Sequence, residues 1–145
     1  MTERTSESIL KALLAALVTG APSGARVARN EAVPARIPSG GLIILRDGSP
    51  GEPEHLLSPL TYLFEHAAEI DVIVEGPDAT RDAAFDALVR AVAAAVTADR
   101  TLGGLCDWVE PGAPAPVDLA EEGAETIKAA TLAVVLSYAT ESPVG

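Results

Sequence analysis

Residues 99–114, DRTLGGLCDWVEPGAP, hold the only Cys and the only Trp of the chain, with a Gly pair just ahead of them. A thiol attacks as its thiolate, which needs a helix N-terminus or a cationic neighbour. Cys106 has Asp107 beside it instead, and a carboxylate raises a thiol's pKa. Neither His55, in a Pro-rich stretch, nor His66, in an alternating apolar one, stands at a spacing that calls for a Cys–His pair. Cys106 is therefore expected as small buried filler on a short strand over residues 105–110. Trp108 shares its side of that strand and is expected in the same core patch. Glu54 and His55 are sequence neighbours whose side chains diverge, and no HxH or HxxxH metal spacing occurs. The chain also lacks GxxxxGK, GxGxxG and GxSxG. No catalytic residue, cofactor or metal is expected. A small enzyme, such as an acyltransferase, is the alternative of a different class, but the nucleophile with its base that it needs is not visible.

Composition narrows the classes further. With 145 residues, 48% apolar and 21% charged, the chain reads as one globular domain over residues 1–145. Aromatic residues are only 3%, so Ala and Val fill a thin, closely packed structure better than they wall a deep ligand pocket. The net charge of −11 excludes recognition of nucleic-acid phosphates by clustered cations. Charge is unevenly spread: residues 1–50 are net +2, and residues 51–145 are net −13. A basic edge carrying Arg26, Arg29, Arg36 and Arg46 can thus meet an acidic face of another copy. A single Cys excludes an intrachain disulfide. The apolar run near the N-terminus is interrupted by Lys11 and preceded by Glu3 and Glu7, so it reads as an amphipathic helix rather than a leader. The chain is expected to be soluble and cytoplasmic, with no membrane partner.

These residues need elements to hold them. Ile9, Leu10, Leu13, Leu14 and Leu17 recur at helical spacing, which predicts a helix over 6–18 with Thr5 or Ser6 as cap. Residues 20–40 read as an irregular connection, with a short extended piece around Val27. GGLIILRDG (40–48) is a short strand ended by an Asp-Gly turn. SPGEPEHLLSP, with its prolines, is expected as a long exposed loop over 48–59 carrying Glu52, Glu54 and His55. Residues 61–75, TYLFEHAAEIDVIVE, alternate with period two, which predicts one strand of about 50 Å. Its even positions should meet helices, and Glu65, Glu69, Asp71 and Glu75 should form an acidic stripe opposite. A second helix follows, capped by Asp78 or Thr80 and striped by Phe85, Leu88, Val89, Val92 and Val96. A Pro/Gly loop should follow LCDWVE, and residues 126–140 form a second long strand. The fold class is α+β: a mostly antiparallel sheet with two long strands and two helices packed on one side.

Taken in order, YLFEHAAEIDVIVEG, the helix into DRTLGGLCDWVE, and GAETIKAATLAVVLSYAT resemble the tail terminator (tail completion) proteins of long-tailed bacteriophages and related prophages. Asp99, Thr101, Leu102, Gly103, Gly104 and Leu105 match that family's turn. The resemblance implies a structural, non-enzymatic virion protein that forms a homo-oligomeric, hexameric ring at the head-proximal end of the tail. Such a ring ends tail-tube polymerisation and joins the tail to the head connector, after assembly in the bacterial cytoplasm. Its partners would be the tail tube protein and the connector or stopper protein, and DNA would pass through the channel without specific binding. Arg26, Arg29, Arg36, Arg46, Glu52, Glu54 and His55 are then candidates for the subunit or tail interface. Glu65, Glu69, Asp71 and Glu75 are candidates for an acidic channel or interface stripe. Another head–tail adaptor is the nearest alternative.

Overall fold

The computed structural model describes residues 3–117 and 126–145. The two-residue alternation of the middle segment becomes a single strand, β4 (Leu60–Glu75), and the C-terminal alternation becomes β6 (Ile127–Thr140). They pair antiparallel from Tyr62↔Thr140 to Glu75↔Ile127, without a register shift. Gly123, Ala124 and Glu125, which open the C-terminal motif, lie outside the described residues. Around this pair the described residues add β1 (Arg26–Arg29), β2 (Leu42–Ser49), β3 (Glu54–Leu57) and β5 (Trp108–Val117). The order across the sheet is β1-β2-β4-β6-β5, with β3 also paired to β4. Every pair is antiparallel except β1 with β2.

Both helices of the described residues, α1 (Thr5–Gly20) and α2 (Asp78–Thr97), lie on one face. The parity of β4 decides which face that is. Phe64, His66, Ala68, Ile70, Val72 and Val74 are buried, and opposite them Leu132, Val134, Leu136 and Tyr138 of β6 are buried too. Ile9, Leu13 and Leu17 of α1 and Phe85, Leu88, Val92 and Val96 of α2 complete this core. Each large side chain so buried contributes about 1.5–3 kcal/mol. On the opposite face, a smaller cluster of Ala28, Ile37, Leu42, Ile44, Ile73 and Ala129 is covered by the connection between β1 and β2. The α+β architecture, with helices on one side of a mostly antiparallel sheet, is as the alternation and the helical stripes imply.

Four local expectations change. The exposed loop over 48–59 contains a strand: β3 turns through Ser58-Pro59 and pairs with the first residues of β4, Glu54↔Leu63 to Leu57↔Leu60. Pro50, Pro53 and Pro59 fall outside the four strand residues, so none of them interrupts the ladder. Asp47-Gly48 does not end its strand. Gly48 has φ +67, and β2 runs on to Ser49 through a register shift between Arg46 and Ser49. A Cβ at Gly48 would stand 1.9 Å from the Ala67 carbonyl oxygen, so the backbones approach more closely there than any other residue allows.

β5 begins at Trp108 and runs through Pro111 and Pro114 to Val117, where a Pro/Gly loop was expected. It is the last strand on its side, so a missing N–H there loses no second neighbour, and the register shifts between Pro111 and Pro114. The helix caps differ as well. Arg4 precedes α1 and Pro77 precedes α2, and neither gives a side-chain cap bond. No helix of the described residues is long and apolar enough to cross a membrane.

Candidate functional site

The Gly pair is built into a turn at the end of α2. The Asp99 carboxylate accepts the Thr101 hydroxyl (2.8 Å), the Thr101 N–H (3.0 Å) and the Gly103 N–H (2.8 Å). These bonds, that of Thr101 first, hold its carboxyl below the usual carboxylate range. Leu102, Gly103 and Gly104 all have positive φ, at 48°, 73° and 87°. Two glycines are what make such a run possible, while Leu102 carries the strain because its side chain is buried in the core.

Cys106 leaves this turn buried, before the strand starts. Burial, followed by the charges of Asp107 and Asp99, pushes its thiol up to about 11. Its sulfur lies 3.6 Å from the Arg100 carbonyl, a weak donation from a protonated thiol. The side chain packs within the core, and that upward push keeps the thiol protonated at neutral pH.

Trp108 is not in the core. It pairs with Ser137 on the face away from the helices, while Val109 takes the buried side. Cys106 lies ahead of the strand, so strand parity never linked the two residues. The indole is 49% exposed. The Arg100 guanidinium sits 4.5 Å from its ring centroid. Its Nε1–H donates to Glu110 (2.8 Å), and Glu110 also accepts from Arg100 (2.6 Å). Arg100 further donates to the Val109 carbonyl (2.8 Å), so the exposed ring is held in one orientation.

The histidines are kept apart in role. His66 is buried, and its Nε2–H donates to the Asp47 carbonyl (2.6 Å), which leaves Nδ1 to accept the Tyr138 hydroxyl (2.9 Å). Burial raises the Tyr138 phenol above its ordinary value. With both ring nitrogens engaged, His66 fastens β4 to β6 and to the β2 bulge. His55 is exposed on β3, edge-on to Tyr62 at 5.1 Å. Among the described residues no three His, Cys, Asp or Glu side chains gather as a metal site. A groove of about 480 Å³ between α1 and α2 is lined by alanines with Thr19, Gly20, Leu102 and Asp99. Its carboxylate is already occupied by the turn just described.

The basic edge is largely satisfied within the chain. Arg29 forks onto both carboxylate oxygens of Glu7 (2.8 Å each) and reaches Asp47 (2.8 Å). Arg26 pairs with Glu31 (2.6 Å), and Arg46 pairs with Asp71 (2.6 Å), which also accepts from Thr131 (2.7 Å). Arg36 is exposed and makes no ion pair among the described residues. Glu65, Glu69, Asp71 and Glu75 share the helix-free face by strand parity. Asp71 is neutralised by Arg46 and Glu65 accepts from Ser137 (2.8 Å), whereas Glu69 and Glu75 are exposed.

Glu52, Glu54 and His55 are exposed along the hairpin. Its tip adds residues the sequence reading passed over: Leu56, Leu57 and Leu60 are 52%, 80% and 49% exposed. Their signal was the apolar triplet itself, set among prolines where no core face could form. The site so assembled is a set of outward surfaces: an acidic sheet face, a leucine-tipped hairpin and a fixed tryptophan. Comparison with known proteins adds no relative, since no family model matches the chain and no curated protein does.

Proposed function

We propose that this chain is the subunit of a ring at the head-proximal end of a long phage tail. There it ends tube polymerisation, joins the tail to the head connector and catalyses no reaction. The hairpin of β3 and β4 carries the proposal. It presents Leu56, Leu57 and Leu60 to solvent on an arm outside the helix layer, and clustered exposed apolar side chains of this kind mark a protein contact. The tail tube protein or a neighbouring copy would bury them. The helix-free face, with Glu65, Glu69 and Glu75, suits a channel wall, because like charge keeps DNA from adhering as it slides past.

Replacing the three leucines by Ser in the phage genome tests this reading. The expected result is tails of uncontrolled length, or tails without heads, from a variant that still folds. Normal tails and normal head joining in the absence of the whole chain would overturn it.

A further inference from the structure

His66 of β4, Tyr138 of β6 and Ser6 of α1 are all buried where the helix layer meets the sheet. His66 uses both ring nitrogens, donating from Nε2 to the Asp47 carbonyl and accepting the Tyr138 hydroxyl at Nδ1. Ser6 is the polar residue left over. Its Oγ is buried and completes no hydrogen bond, although it stands beside the Tyr138 hydroxyl and draws the phenol back down against the upward push of burial. A Cβ on Gly145 would meet both oxygens, Ser6 Oγ at 3.0 Å and Tyr138 Oη at 3.6 Å, so the two border one small space. An idle buried hydroxyl is uncommon and calls for a reason. Phe64 stacks on the Tyr138 ring at 5.3 Å, which leaves the hydroxyl proton as the part free to turn.

We propose that these three side chains are a proton-controlled latch between α1 and the sheet: when His66 takes up a proton, the Tyr138 hydroxyl turns from His66 to Ser6. The neutral ring accepts at Nδ1, so the Tyr138 proton points to it and Ser6 stays idle. A proton from water on Nδ1 makes both ring nitrogens donors. Nδ1–H then donates to the Tyr138 oxygen, the phenolic proton rotates away, and Ser6 Oγ stands ready as its acceptor. The bond to Asp47 survives, because Nε2–H donates to that carbonyl in both states. The core thus takes on a charge without losing a hydrogen bond, and α1 gains one to β6. Charged groups approach from several elements. Asp47 of β2 brings a carboxylate within reach of the ring's charge. Arg29 of β1, which holds Asp47 and Glu7 of α1, opposes the proton, as does Arg4 ahead of α1, which faces Tyr138. The buried side of α2 adds only Phe85, Leu88, Val92 and Val96.

The latch goes beyond the tail reading and does not depend on it. Nitrogen NMR of the His66 ring in the folded native chain should show the proton on Nε2 alone at about pH 8, and protons on both nitrogens at about pH 5.5. Ser6→Ala, checked by circular dichroism, removes the acceptor of the acid state and nothing that the neutral state uses. Relative to the native chain, its folding equilibrium in urea should weaken by about fivefold to tenfold between those two pH values. The folded variant resists a proton that the unfolded chain accepts, so its stability falls as pH falls. Arg29 holds the Glu7 and Asp47 carboxyls below their ordinary values, so both stay ionised over this window. In a Tyr138→Phe background the same Ser6→Ala change should lose its pH dependence, since no hydroxyl is left to turn. A ring that stays neutral in the folded chain at the lower pH, or carries its proton on Nδ1 at the higher one, overturns the proposal. So does a Ser6→Ala deficit of equal size at both pH values, or a pH dependence that survives Tyr138→Phe; either would leave Ser6 a packing residue.

Discussion

Arg29 shows how much one side chain of this fold organises. It ties α1 to the sheet through Glu7 and holds the β2 bulge through Asp47. Its hydrogen bonds keep both carboxyls below their ordinary values of 4.5 and 3.8. Lowered folded values mean that the unfolded chain takes up protons first. The stabilisation is therefore complete above those values and is lost as pH falls through them toward the folded ones. Arg29→Met should cost about 1–3 kcal/mol at neutral pH and flatten that acid dependence, as read by urea unfolding at several pH values. Cys106 gives the opposite sign. Its raised value means that the unfolded thiol ionises first, so stability should decline as pH rises above 9.0, through about 11. Cys106→Ser should cost about 1–2 kcal/mol and leave assembly intact. In the folded chain the thiol should react slowly with alkylating reagents, and unfolding should speed that reaction. A folded Cys106→Ser variant unable to assemble would give the thiol a chemical role after all.

Among the elements, the β2 bulge and the hairpin make opposite demands. Gly48→Ala places a methyl group against the Ala67 carbonyl at a φ of +67, so about 2–3 kcal/mol of stability should be lost on thermal unfolding. The three exposed leucines are another matter. Replacing Leu56, Leu57 and Leu60 by Ser should shift stability by only about 0.5 kcal/mol each, since they cover no core. The same substitutions should abolish tail completion. Stability and function are thus expected to separate between the β2 bulge and the β3–β4 hairpin, and parallel unfolding and complementation assays will show whether they do.

For the whole molecule, the chain's own ion pairs decide which charges are free to act between copies. Reversing Arg26, Arg29, Arg36 and Arg46 together would break Arg29 from Glu7 and Arg46 from Asp71, and so damage the fold before any interface is tested. Arg36→Glu alone leaves those pairs in place. The acidic face can be tested in the same spirit. Glu69→Lys with Glu75→Lys alters two exposed side chains that make no ion pair among the described residues. Tails built from that variant should form but release DNA more slowly, with the delay shrinking as salt is raised. Unchanged release kinetics would show that this face does not border the DNA.

Periodicity made the long strands, the two helices and the buried face of β4 legible, because burial on one side of a strand or helix imposes a period that composition alone cannot imitate. The burial of Cys106 was legible as well, and the carboxylate beside it adds to the upward push that burial gives the thiol. Parity does not carry across the end of a strand, which is why Trp108, expected in the core with Cys106, is exposed. Strand pairing likewise depends on partners distant in the chain. β3 exists because β4 extends beyond β2 and offers it an edge, and β5 tolerates its prolines because nothing pairs beyond it. The pairing of charges also had to wait for the fold. Arg26, Arg29, Arg36 and Arg46 look alike in the sequence, and only folding brings Glu7, Asp47 and Asp71 to two of them, Glu31 to a third, and no carboxylate of the described residues to Arg36.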